Sequence, residues 1–418
     1  FQVADNSRGN GFPYFFGKSI ISIEKTLFGL ESIKEDWDVP TVCDSYLDQE
    51  SFVLTYFRKR GYKTLYGGDW ANHDTFSYPP YECKGFETMP TTHYTKAFFL
   101  NYDFSDQKKR YMAQERCLEP HNRMFEYYRK FLKAYPKSPK ASIIWMTDIA
   151  HDSANNLFHV DKQFVEYFRE FKDELEKSYV FFLADHGPRY GYIREADVED
   201  HESRNPMFYV SVPKNLRERI NPILKENSVK LVTGFDLHTT FLDIAKDSQH
   251  ITDSGPQGLR GNSLLRPLPP GERSCRTLPI PLEYCLCDLK TDKINNNKYR
   301  AEMGARSLTI LNNLLLERNI SNSCELFTMK KVLDVHLLGR VGGLHEVTFL
   351  VNECHGHFKG IISVKGGGKN SFTSSLVSKS FSRLDSYGSS ADCMYDKNHA
   401  EFQDICCCRN RETSKYHP

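Results

Sequence analysis

The spacing of apolar positions changes several times along the chain, and each change marks an element. In 50–60 and 121–135 the apolar residues recur at three- and four-residue intervals (Met124, Tyr127, Tyr128, Phe131 and Leu132 in the second), which predicts helices. Gly61 breaks the first, and 61–66 follows as a strand closed by Gly67, Gly68, Asp69 and Trp70. Residues 142–146 read as a strand. Residues 161–177 read as a helix, with Phe164, Val165, Phe168, Phe171 and Leu175 on one face. The run 179–184 is almost wholly apolar and predicts a strand buried on both faces. Two strands flanking one helix predict a parallel pair with a right-handed crossover. Residues 206–212 add a strand, and 235–245 a helix with Asp236 as its N-cap. Further on, 299–318 reads as a helix, and 331–338 and 346–351 as strands.

The polar residues that interrupt this pattern carry the candidate chemistry. The strand at 179–184 stops at Asp185, His186 and Gly187. An unpaired carboxylate in a core costs several kcal/mol, and in open parallel sheets ligands bind at the carboxyl ends of strands. Carboxylate and imidazole are ordinary zinc or manganese ligands. The competing reading is a polar turn closing a strand. Asp148 and His151 follow the preceding strand, so the parallel pairing would set four metal-type ligands at one sheet edge. His238 falls in the first turn of the 235–245 helix and reads as a packing residue, while 194–205 is a charged loop holding His201 and Glu202. Near the N-terminus Asp5, Asn6 or Ser7 could cap a helix. A serine there also stands where amide dipoles favour an anion or alkoxide.

Composition narrows the setting. The 418 residues suffice for two or three domains, and a net charge of +1 with 39% hydrophobic residues points neither to nucleic acid nor to an anionic membrane. No apolar run reaches the roughly 20 residues that span a bilayer. The chain starts at Phe1, which reads as a truncated N-terminus. Nine of the 12 cysteines lie from Cys275 onward, without paired CxxC motifs, and read as a disulfide framework of an oxidising compartment. Asn319-Ile320-Ser321 is a glycosylation sequon. The expected layout is a core domain over 1–253, a Pro/Gly linker over 254–273 and a cysteine-rich extension over 274–418, with a Gly/Ser-rich flexible segment at 363–390. Lys365-Gly366-Gly367-Gly368-Lys369 lacks P-loop spacing.

Several stretches, taken in order, are those of one family: NSRGNGFPYFFGKS, RGYKTLYGGDW, IIWMTDIAHDSANN, FFLADHGPRYG, NPMFYVSVP and FDLHTTFLDI. The chain resembles domain-of-unknown-function family 229, a branch of the alkaline phosphatase and sulfatase superfamily, over roughly 1–287. The resemblance implies a doubly wound, mostly parallel α/β sheet with a two-metal site. On the matching motifs it makes Asp185 and His186 ligands of one divalent cation and Asp148 with His151 ligands of a second. Zinc is the first expectation, with manganese or calcium as alternatives. It makes Ser7 the nucleophile and Asn10 and His201 substrate-binding residues. Arg189, two residues beyond Gly187, could contact an anionic group of the substrate bidentately or form a surface salt bridge. The spacing Asp148-x-x-His151 departs from the Asp-x-x-x-His of phosphodiesterase relatives, a first acidic ligand would lie upstream of Phe1, and His238 and His201 compete as a third histidine. The sulfatase Cys-x-Pro-x-Arg signature is absent around Ser7.

The expected function is therefore a secreted metal-dependent hydrolase or transferase of phosphate or sulfate esters. Its substrate would be a small molecule or a glycan- or lipid-linked ester. The alternative is a degenerate member that retains the fold and binds without turnover.

Overall fold

The structure is a computed structural model and describes every residue except 1, 71–82, 152, 154, 190–192, 194–197, 247–258, 287–290, 340–342, 368–370, 378–380, 386–387, 395–399 and 410–418. The chain divides into two units. The first takes Phe1–Ile21, Glu35–His186 and Pro206–Gly271; the second takes Ser22–Lys34, Gly187–Asn205 and Glu272–Pro418.

The first unit is built around helix α1 (Ser7–Phe16), in which every residue from Arg8 to Phe16 is buried. Asn6 caps it, its Oδ1 accepting from the Gly9 N–H at 2.9 Å, so the cap is Asn6 and neither Asp5 nor Ser7. Gly17 ends it with φ 66°, and a Cβ there would stand 2.6 Å from the His238 ring, so both the backbone and its neighbour require glycine. Phe12, Phe15 and Phe16 meet Trp37, Phe52, Tyr66 and Trp145 with ring centroids 5.3 to 5.9 Å apart. Each such pair contributes about 0.5–1.5 kcal/mol beyond area burial.

Helix α2 (Val53–Lys59) leads into β1 (Lys63–Gly68), which pairs in parallel with β2 (His93–Tyr94) on one side and β3 (Lys140–Trp145) on the other. Helices α3 (Pro120–Ala134) and α4 (Asn156–Glu170) form from the predicted amphipathic stretches, α4 starting five residues ahead of its expected Asp161. The following strand differs from expectation. β4 (Val180–Leu183) pairs antiparallel with β5 (Phe208–Ser211) and, among the described residues, forms no ladder with β3. The chain enters the second unit after His186 and returns at Pro206, and Leu183 lies opposite Phe208. The excursion therefore leaves and re-enters at the same end of the pair, which makes the two strands antiparallel. Among the described residues the first unit is thus mixed α/β, with the parallel sheet β2-β1-β3 and the separate antiparallel pair β4-β5.

Helix α5 (Gly234–Lys246) begins before Asp236, so Asp236 is not its N-cap. Its buried carboxylate reaches back to accept from the Thr233 N–H at 2.8 Å and also accepts from Asn262 N–H at 2.8 Å. That second bond begins a strap. The expected linker, where described at 259–271, packs into the core: Leu264, Leu265 and Leu268 are buried, and Arg266 donates to both oxygens of buried Asp243 at 2.7 and 2.8 Å. Asn227 donates to the Leu264 and Arg266 carbonyls. Its Gly and Pro content looked like a boundary; three leucines spaced among them decide otherwise.

The second unit lays helix α6 (Asn297–Glu317) on an antiparallel sheet. The sheet runs β10 (Ser371–Leu376), β9 (His357–Gly367), β8 (Leu344–Val351), β7 (Met329–Leu338), β6 (Thr291–Lys293), with β11 (Ser382–Arg383) also on β9. Its core joins Met303, Leu311 and Leu315 to Val347, Phe349, Phe358 and Ile362. The stretch expected to be flexible supplies part of β9 and all of β10, because its neighbours offer ladder partners that composition does not reveal.

The predicted pairing of late cysteines holds: Cys275–Cys285, Cys324–Cys406, Cys354–Cys407 and Cys393–Cys408 are disulfides, as is Cys43–Cys83 in the first unit. Cys117 is an exposed free thiol, and Cys287 lies outside the described residues. Ser22–Lys34 belongs to this unit through buried Lys25, whose ammonium donates to the Cys275, Leu278 and Ile280 carbonyls. Among the described residues no helix is long and apolar enough to cross a membrane.

The strap gives a direct test. Leu265→Ala should destabilise the first unit by about 2–5 kcal/mol, because a fully buried leucine leaves a cavity. Leu259→Ala, at an exposed position, should change stability by less than about 0.5 kcal/mol. Equal, negligible effects in denaturant titrations would mean that 259–271 is a free linker after all.

Candidate functional site

Three carboxylates stand just beyond strand ends in the first unit: Asp69 after β1, Asp148 after β3 and Asp185 after β4. Asp69 continues the ladder, its N–H donating to the Trp145 carbonyl at 3.2 Å. Its buried Oδ1 accepts from the Thr147 N–H at 2.7 Å and the Asp148 N–H at 3.4 Å, so it holds the single helical turn Asp148–His151 in place. Its Oδ2 is buried and has no hydrogen-bond partner. Burial pushes the Asp69 carboxyl up to about 7, the Thr147 amide opposes that, and the nearby Asp148 charge adds to it. Two carboxylates therefore crowd one strand edge with one oxygen left over.

The turn Asp148–His151 places His151 beside Trp70, ring centroids 4.9 Å apart and edge to face. Asp185 and His186 stay together, Oδ2 to Nε2 at 3.5 Å, and the Asp185 Oδ2 is a second buried oxygen without a hydrogen-bond partner. Tyr14 of α1 feels its charge: burial raises the phenol well above its ordinary range, and the Asp185 charge adds to that rise. Among the described residues, no three carboxylate or imidazole groups each bring a ligand atom within 4.8 Å of one another. The one trio that meets this distance is Cys324, Cys393 and Cys406, whose sulfurs are already in disulfides.

The remaining candidates fall into three kinds. Ser7 is the half-buried first residue of α1, and among the described residues its hydroxyl is bonded to no imidazole or carboxylate. Asn10 is occupied: its Oδ1 accepts from Val3 and Ala4 N–H, and its Nδ2 donates to the Ala4 and Asn6 carbonyls at 2.8 and 3.0 Å. Both donors and both lone pairs are engaged, so the substrate-binding role expected for Asn10 does not fit its surroundings. Arg189 and His201 belong to the second unit. The Arg189 Nη2 donates to both oxygens of Asp404 at 3.1 and 3.2 Å, whereas His201 is exposed on the short helix Glu199–Arg204. That helix explains Gly187: a Cβ there would stand 2.1 Å from the Glu202 carbonyl oxygen.

Sequence reasoning passed over Asp69 and Tyr14. Asp69 carried the same signal as Asp185, a carboxylate ending a buried strand, but the two glycines before it read as a turn. Nothing in the local sequence marks Tyr14, because its relation to Asp185 exists only in the fold.

His238 is the packing residue expected. It is buried, its Nδ1 lies 3.0 Å from the Tyr14 carbonyl, and burial lowers its pKa to about 4 against a smaller upward pull from that bond. A histidine neutral in the fold but protonated when unfolded removes stability as pH falls from about 6.5 towards 4. His238→Asn, which keeps a donor towards the carbonyl, should therefore flatten the acid limb of stability by up to about 3 kcal/mol over that window. Urea titrations at a series of pH values would read it; an unchanged slope would mean that His238 titrates normally.

None of the curated proteins matches the chain, and neither does any solved structure. The family described as Protein of unknown function (DUF229) matches residues 1–333, beyond the expected 287, through α6 and into β7. That match takes in both units and well over half of the 418 residues. The chain belongs to the DUF229 family.

Proposed function

We propose that the chain is an extracellular metal-dependent hydrolase or transferase of phosphate or sulfate esters. The supporting observation is the pair of buried carboxylate oxygens, Asp69 Oδ2 and Asp185 Oδ2, that lack hydrogen-bond partners at strand ends. A buried anionic oxygen without a donor is costly, and a divalent cation is the ordinary partner that relieves it. Oxygen and imidazole donors together suit zinc or manganese, and an all-oxygen set suits calcium. Asp185 and His186 would hold one cation; Asp148 and His151, with Asp69, would hold a second. A bound cation supplies Lewis acidity towards the ester and lowers the pKa of a coordinated hydroxyl.

The chain's own residues set the rest. Asp69 orients the Asp148–His151 turn through two backbone amides. Tyr14, protonated throughout the physiological range, can donate towards Asp185 or a substrate oxygen. Ser7, at the positive end of α1, is the candidate nucleophile, its conjugate base favoured by the helix dipole. The five disulfides among the described residues support an oxidising, extracellular setting, and exposed Asn319 just beyond α6 suits a glycan acceptor. One observation favours the second reading, a binder without turnover: no three ligand atoms of this set lie within 4.8 Å of one another, so a cage would have to close on the ion.

Elemental analysis of the natively purified protein, coupled to a panel of phosphate and sulfate esters, decides between them. We expect bound divalent metal and turnover. Asp185→Asn should lose both together, and Asp69→Asn should lower metal content at least tenfold. Ser7→Ala should cut turnover by several orders of magnitude while keeping the metal. Near-normal turnover in Ser7→Ala would transfer the nucleophile role to water. A protein devoid of both metal and turnover would leave the binder.

A further inference from the structure

Three consecutive cysteines, Cys406, Cys407 and Cys408, are disulfide-bonded to three separate places in the second unit. Two of those bonds lie against each other. The sulfur of Cys393, bonded to Cys408, stands 3.6 Å from that of Cys406, bonded to Cys324. Cys393 is exposed, whereas Cys324, Cys406 and Cys408 are buried. External reagents therefore have one open sulfur among the four. The backbone N–H of Cys393 donates to the Cys408 sulfur at 3.0 Å, a contact that stabilises Cys408 as a leaving thiolate. Arg409 donates through Nε to the Cys324 backbone carbonyl at 3.1 Å, so a guanidinium is held at the residue whose sulfur is the second leaving group.

We propose that Cys393 is an entry site for low-molecular-weight thiols and that the two cystines form a relay. A thiolate attacks the Cys393 sulfur, the Cys393–Cys408 bond breaks, and Cys408 leaves as thiolate. A second thiolate takes the first thiol off Cys393 as an external disulfide and frees the Cys393 thiolate. That thiolate attacks Cys406 across the 3.6 Å gap, the Cys324–Cys406 bond breaks, and Cys324 leaves and takes up a proton. Two thiols become one external disulfide; two protein cystines become one, Cys393–Cys406, plus the thiols of Cys324 and Cys408. The Cys354–Cys407 pair takes no part. The C-terminal segment then exchanges a tie of sequence separation 82 for one of separation 13. Asp404, two residues before Cys406, is the partner of Arg189, so the exchange loosens the segment that holds this guanidinium. The relay stands whether or not the ester reading does.

The test uses the native protein, with free thiols first capped by iodoacetamide. It is then equilibrated with reduced glutathione, capped again with a mass-labelled reagent and sequenced by tandem mass spectrometry. The relay gives label on Cys324 and Cys408 in equal amounts and a new Cys393–Cys406 link, with Cys354–Cys407 intact. Label on Cys393 and Cys408 with Cys324–Cys406 unbroken would overturn it. In the double variant Cys393→Ala/Cys408→Ala the entry sulfur is gone, and labelling of Cys324 at the same glutathione concentration should fall at least tenfold. Unchanged labelling of Cys324 there would equally overturn the proposal.

Discussion

The first unit depends on the burial of one short helix. A helix with water on no side must be apolar or have its polar groups bonded within the protein. Helix α1 combines Phe12, Phe15, Phe16, Tyr14 and close-packing glycines with an Asn10 amide bonded on every side. Each large side chain so buried contributes about 1.5–3 kcal/mol. Its three phenylalanines meet aromatic residues from β1, β3 and the segments before them, so one helix ties together parts of the chain more than a hundred residues apart. The same packing sets Tyr14 near Asp185 and its carbonyl against His238. Few positions on α1 are free to change without moving a strand end.

The strand ends carry the opposite kind of group. Asp69 is almost wholly inside the protein, and its carboxyl is raised to about 7 because burial outweighs the two amides that serve it. Those amides belong to the turn that presents Asp148 and His151, so the orphaned oxygen and the candidate ligands are one construction. Proteins satisfy nearly all buried polar atoms, and the unpartnered oxygens of Asp69 and Asp185, which stand at strand ends, are the observation on which the proposed metal-dependent function rests.

The second unit has a modest core of one helix on one sheet, reinforced by covalent and ionic ties. Each disulfide typically adds about 2–4 kcal/mol by restricting the unfolded chain. Lys359 and Arg204 share Asp200 and Glu346 in a partly buried four-charge network, which fastens the short helix Glu199–Arg204 to β8 and β9. Through that network and the Arg189–Asp404 pair, the residues just after the Asp185-His186 motif fold with the C-terminal half of the chain.

The sequence by itself determined the local elements and the chemistry available at their ends. Period and apolar runs located α3, α6, β3, β4 and β7, and cysteine density foretold the late disulfides, because each of these signals is contained in a few neighbouring residues. Pairing was another matter. Whether β4 lies beside β3 or β5 depends on where a connection returns, and no residue of β4 records that. The strap at 259–271 and the strands β9 and β10 were hidden because glycine, proline and serine report backbone freedom and not the partner that removes it. Asn10 illustrates the same limit: a motif names a residue, but only the fold shows that its amide is already bonded on every side. Burial likewise decided Asp69, since a carboxylate becomes chemically unusual only when surrounding atoms exclude water and leave one oxygen without a donor.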